Sequence, residues 1–201
     1  MPRESASAER GCPKIKAAQL QANLQSLELL DEAEERRVRE RLGPELIAEI
    51  REAGSAQWFP LEYDVRISLC VVEVCGFERS KRWTHDSTVQ ALGGALLRNL
   101  VRPALRLFGA KPQTVLRFTP KVLDQLLANC GQFSLEFPGE DTTVIVGLGL
   151  PDPFSAPTPY SEGYGEVFAA VCSIVGVTPS VQTVRVAQGH VEWRLSTSEA
   201  A

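Results

Sequence analysis

Two histidines, one methionine and an odd count of five cysteines leave this sequence poor in residues that ligate metals or attack carbonyl carbon. His85 and His190 are far apart, and His190 closes a Gln188-Gly189-His190 stretch that reads as a hairpin turn. A two-histidine metal site would need the fold to unite them by coincidence, so no metal is expected. No cysteines form a Cys-x-x-Cys pair, and Cys70, Cys75, Cys130 and Cys172 lie in apolar runs, where thiols behave as small hydrophobes. None has a neighbouring histidine, lysine or glycine-rich helix start to lower its pKa. The one enzymatic option pairs such a thiol with His85, a set the sequence does not place together. Phosphate-loop, G-x-G-x-x-G, H-E-x-x-H and G-x-S-x-G motifs are absent, and Gly147-Leu148-Gly149 lacks the remaining glycine and a following helix. The expectation is a protein that is no enzyme and carries no cofactor.

Long apolar runs are missing too. Nothing approaches the roughly 18 uninterrupted apolar residues of a membrane span. Residues 1–10 hold no apolar stretch of the kind a secretory signal requires, so a cytoplasmic location is expected. A net charge of −4 and a pI near 5.4 give no global field to recruit nucleic acid or an anionic membrane, so any partner must be argued locally.

What is present is a chain of 201 residues, long enough for one buried core with an appended helical segment. Residues 1–13 read as a disordered lead, 14–56 as an N-terminal helical segment and 57–197 as an α+β domain. Leu20, Leu24, Leu27 and Leu30 recur at helical spacing, which predicts a helix within 14–30. Asp31-Glu32-Ala33-Glu34 has the form of a capping box opening a helix over about 32–42. Gly43-Pro44 stops it and starts another over 44–53. The run 61–75 is apolar on most of its circumference and predicts a central helix. Asp86 offers an N-cap for a long helix in which Val89, Leu92, Leu96, Leu97, Leu100, Val101, Leu105 and Phe108 form a core face, bent or divided at Pro103. A further helix is expected over 120–129.

Beyond Gly131 the period changes to two. Phe133, Leu135 and Phe137 alternate with polar residues, Pro138-Gly139-Glu140-Asp141 supplies a turn, and 142–150 is rich in β-branched residues. A helix over 160–175 follows, then a second hairpin in which Val181, Thr183, Arg185 and Ala187 oppose Val184 and Val186, with Val191, Trp193 and Leu195 on its return strand. The ending is β-β-α-β-β. The fold class is α+β, a helical layer packed on an antiparallel sheet.

Two local features bear on function. Gly93-Gly94 inside a helix costs about 1 kcal/mol per residue against alanine, which close packing or a ligand would offset. With Leu97 and with Gly163 and Tyr164 at the start of the last helix, these glycines mark a candidate ligand pocket. Arg98, Arg102 and Arg106 line another helix face, either as a solvated row or as a grip for an acidic protein surface.

Trp58-Phe59-Pro60-Leu61, Leu92-Gly93-Gly94 with the later Phe108-Gly109, the hairpin over 131–150, Tyr160-Ser161-Glu162-Gly163 and Gly189-His190-Val191-Glu192-Trp193 together resemble a myxobacterial paralogous family. That family in turn is similar to the superfamily of small TRAPP vesicle-tethering subunits, 4-vinyl reductase domains and bacterial nitric-oxide-signalling-associated domains. The resemblance spans about 58–196. It implies an α+β fold, dimerisation through helices and, in some relatives, a hydrophobic tunnel for an acyl chain or other apolar ligand. Lipid-modified relatives carry a cysteine where 109–113 here has none, so covalent acylation is not implied. Two functions follow: a non-catalytic assembly module, a homodimer or one docking a protein partner, or a sensor domain with an apolar ligand in an internal pocket.

Overall fold

The computed structural model describes residues 11–92, 111–154, 156–187 and 189–197. The N-terminal helices follow their sequence signals closely. α1 (Ala17–Gln25) buries Ala17, Leu20 and Leu24, and a 3-10 turn (Ser26–Leu29) carries Leu27 into the same core. α2 (Glu32–Leu42) opens on the capping box, with the Glu34 N–H donating to Asp31 at 2.8 Å and the Asp31 N–H donating to the Glu34 carboxylate at 3.4 Å. Proline at its first turn starts α3 (Pro44–Glu52) after Gly43, whose φ of +84° suits glycine.

The expected helix over 14–30 begins later than its apolar spacing suggests, because residues 14–16 pair as a strand. β1 (Lys14–Lys16) lies between β2 (Trp58–Pro60) and β3 (Leu127–Ala128) in a small antiparallel sheet. Of the N-terminal lead, residues 1–10 lie outside the described ones, and the Pro13 carbonyl accepts from the Leu61 N–H at 3.0 Å.

α4 (Glu62–Cys75) fills the run expected to be the central helix, burying Asp64, Ile67, Cys70 and Val71. α5 (Phe77–Leu92) corrects the expectation that a new helix begins at Asp86. It runs unbroken through that residue, and its buried side is Ser80, Trp83 and Ser87 rather than a row of aliphatics. Ser80 and Ser87 donate to the carbonyls of Phe77 and Thr84, satisfying their hydroxyls within the helix. Val89, expected in the core, is 37% exposed. The rest of that expected helix, including Pro103, falls outside the described residues.

α6 (Pro112–Leu116) and α7 (Thr119–Leu126) lead into the main sheet, whose strand order is β4 (Gln132–Glu136), β5 (Thr142–Leu148), β7 (His190–Ser196) and β6 (Ser180–Ala187), all antiparallel. Between the hairpins lie α8 (Pro159–Gly163) and α9 (Gly165–Ser173), two helices divided at Tyr164 where the sequence suggests one. Architecture and fold class agree: the protein is α+β. One strand face differs. The register shifts between Thr183 and Arg185, so Val184 is extruded to 42% exposure and Val186 shares the inward face with Val181.

α9 lies directly on this sheet. A Cβ on Gly165 would stand 2.6 Å from Val181 Cγ1 and 3.0 Å from Trp193 Cδ1, so glycine is what allows helix and strands to meet. One continuous apolar core extends from Ile15 through Val38, Ile67 and Leu116 to Phe168 and Leu195.

Candidate functional site

A cavity of about 160 Å³ opens between α1, α4 and α5 on one side and α6, α7, α8 and α9 on the other. Most of its wall is apolar, supplied by residues such as Ile15, Val72, Val115, Leu123, Val167 and Val171. One end is polar. Asp64, 7% exposed, reaches the wall from the first turn of α4. The Asn23 side-chain amide donates to its Oδ1 at 2.6 Å, and the Tyr160 hydroxyl donates to its Oδ2 at 2.7 Å. Gln19 extends the chain by donating to Asn23 Oδ1 at 2.9 Å.

Local structure explains why Tyr160 reaches that point. Thr158 caps α8, with the Ser161 N–H donating to its hydroxyl oxygen at 3.1 Å and the Thr158 N–H donating to Ser161 Oγ at 2.9 Å. From the sheet side, the Trp193 indole N–H donates to the Ser161 carbonyl at 2.9 Å. Tyr160 is therefore held between a capped helix start and a strand. Phe154 backs it at 5.2 Å between ring centroids and meets Tyr164 edge-on at the same separation.

Electrostatics follow from burial. Loss of solvent pushes the Asp64 carboxyl above the ordinary carboxylate value, opposed by the Tyr160 and Asn23 hydrogen bonds. Burial, reinforced by the neighbouring Asp64, drives the Tyr160 phenol well above its usual value and raises Tyr164 as well. Both phenols keep their protons.

Gly163 and Tyr164 both line this cavity, and a Cβ on Gly163 would meet nothing within 4 Å. Gly93, Gly94 and Leu97, the other pocket candidates, lie outside the described residues, as do Arg98, Arg102 and Arg106. Sequence reasoning passed over Asp64, Asn23 and Tyr160. A signal existed for the first: Leu61, Asp64, Ile67 and Val71 share one buried helical stripe, and only one of them is charged.

His85 does not meet a cysteine. Its Nε2 lies 2.9 Å from Ser173 Oγ and its Nδ1 3.0 Å from Asp86 Oδ1, an order reminiscent of a serine nucleophile chain. Ser173, however, ends α9, where backbone carbonyls rather than N–H groups are free, and its hydroxyl donates to the Ala169 carbonyl. The arrangement joins α5 to α9 and offers no donors to a developing oxyanion.

No family model matches the sequence, and no curated protein does. Solved structures match over nearly the whole length. A Cs H-NOX protein superposes with a TM-score of 0.62 at 12% identity, covering 92% of this chain and 97% of its own. The chain has the H-NOX fold. A second H-NOX structure, determined to probe heme distortion, gives 0.61 at 11% identity over 93% of this chain and 97% of that one. The Fe(II) unliganded H-NOX protein from K. algicida gives 0.57 at 8% identity over 92% and 97%. At such identities the likeness is one of H-NOX architecture, and the chemistry of the cavity must be read from its own residues.

Proposed function

We propose that this chain is a non-catalytic sensor domain whose cavity takes a small, largely apolar molecule. The observation that carries the reading is the cavity itself: an apolar wall with a few convergent polar groups at one end, drawn from seven helices. The H-NOX fold adds weight, since one neighbour is described by its heme and another by its Fe(II) state.

Heme does not fit the residues present. Among the described residues, no histidine, cysteine or methionine lines the cavity. The segment 93–110 contains none of these and no tyrosine. His85 is engaged with Ser173 and Asp86, and His190, whose Nε2 lies 2.9 Å from a Glu192 carboxylate oxygen, is not in the cavity wall. A tyrosinate ligand would require Tyr160 or Tyr164 to lose its proton beside a buried carboxyl, which the environment strongly disfavours. The volume of about 160 Å³ also falls below the ~300 Å³ at which pockets for drug-sized ligands begin.

Docking of a homodimer mate or protein partner has less behind it. The large exposed hydrophobics among the described residues, including Leu29, Trp58, Phe118 and Val184, sit on separate elements. No helix among the described residues is long and apolar enough to cross a membrane.

Gly163→Leu tests the pocket. The site is helical with open space beyond it, so leucine gains helix propensity of about 1 kcal/mol while its side chain fills the cavity. Toluene binding, followed by protein NMR, should be saturable in the wild type and lost in the variant, with the melting temperature kept or raised. Absence of saturable binding in the wild type, or full binding in G163L, overturns the reading.

A further inference from the structure

Resting on the ligand-pocket reading, we propose that the cavity is built for a small organic cation, a protonated amine or ammonium head on an apolar body, with Asp64 as its counter-charge. A carboxylate offers about four acceptor positions, and two of those on Asp64 are taken, both by neutral donors. Among the described residues, no lysine, arginine or histidine lines the cavity. With no cation among the described lining residues, an ionised Asp64 held away from water is costly, and a cationic ligand lowers that cost by supplying an opposite charge.

The surrounding groups leave Asp64 in charge of this end. α1 presents only the amides of Gln19 and Asn23. Ser80, Ser87 and Thr88 on α5 spend their protons on the carbonyls of Phe77 and Thr84. Tyr160, Tyr164 and the Cys130 thiol, the titratable groups that interact with Asp64, are all held protonated by burial. Glu62, on α4 itself, is exposed.

Four aromatic side chains, Trp83, Phe118, Tyr160 and Tyr164, share the wall with the carboxyl. Aromatic faces attract alkylammonium groups, and together with one carboxylate they form the recognition chemistry of an amine site. The same carboxylate disfavours a free fatty acid, whose own negative head would meet Asp64. A cavity of about 150 Å³ accommodates benzene, which sets the scale of the ligand body.

Benzylammonium, benzyl alcohol and toluene share that body and differ in the head, so calorimetric titration with the three decides the matter. Benzylammonium should bind the wild type about tenfold or more tighter than the two neutral probes, a gain of the size expected for a desolvated cation contact. Asp64→Asn should erase that preference while retaining toluene. In the wild type, benzylammonium affinity should rise with pH through the titration of Asp64, up to the pH at which the amine itself deprotonates, while toluene affinity stays flat. That profile decides the question even where D64N fails to fold. Equal binding of all three probes by the wild type, a preference that survives D64N, or a flat benzylammonium profile overturns the cation inference and leaves the pocket standing. Binding of none of them overturns both.

Discussion

A buried carboxyl beside neutral donors makes stability depend on pH. Because burial raises the Asp64 pKa above its unfolded value, the folded protein binds the extra proton between the two values. Wild-type stability should therefore fall as pH rises from the ordinary carboxylate range, near 3.8, through the higher folded value. D64N has nothing to titrate there, so denaturant melts should show the variant gaining on the wild type as pH increases, with no gain in acid. The thiols provide a second test at this scale. Burial pushes Cys75 to about 11 and Cys172 to about 12, and raises Cys70 and Cys130, whereas Cys12 is exposed. Thiol titration of the folded protein at neutral pH should label Cys12 rapidly, the part-buried Cys75 slowly, and Cys70, Cys130 and Cys172 only after denaturation. Of the cavity's polar end, Asp64 alone left a signal in the sequence, as the one charge on a buried stripe, and that signal went unread. Asn23 and Tyr160 left none, since they stand 41 and 96 residues from their hydrogen-bond partner.

Elements announced themselves where apolar spacing and end signals coincided. α2 and α3 carry a capping box, a glycine stop and a proline start, and each lies where those residues put it. α5 eluded the same reasoning because small hydroxyl residues face its core, so its inward side lacks the aliphatic period by which a helix is recognised. β6 shows another limit: strict alternation cannot foresee a bulge that moves Val184 outward. The contact of α9 with the sheet yields the prediction at this scale. Gly165→Ala would press a methyl group onto Val181 and Trp193, and overpacking of this kind typically costs about 1–3 kcal/mol. Alanine's better helix propensity returns about 1 kcal/mol of that, so the melting temperature should drop by the remainder, and an unchanged value would show that helix and sheet separate more readily than their packing indicates.

For the whole molecule, the β-β-α-β-β ending and the α+β class could be read from the switch of period at Gly131. The small sheet could not, because strands of two or three residues are too short to display alternation, and they join positions near 15, 59 and 127. That sheet ties the start of α1, and with it Asn23, to the segments that precede α4 and follow α7. The cavity is thus a product of long-range closure, while its aromatic and polar contents are local to individual helices.

The placement of tryptophan gives this protein a built-in optical gauge. Trp58 is 39% exposed with the Lys16 ammonium 5.2 Å from its ring centre, Trp83 lines the cavity with its indole donating to the Ser26 carbonyl, and Trp193 is enclosed between sheet and α9. Acrylamide should quench Trp58 emission first, and the residual blue-shifted fluorescence should come from the two enclosed indoles. Occupancy of the cavity should then alter the signal of Trp83, so that a Trp58→Phe variant reports filling of the site by light alone, without a label.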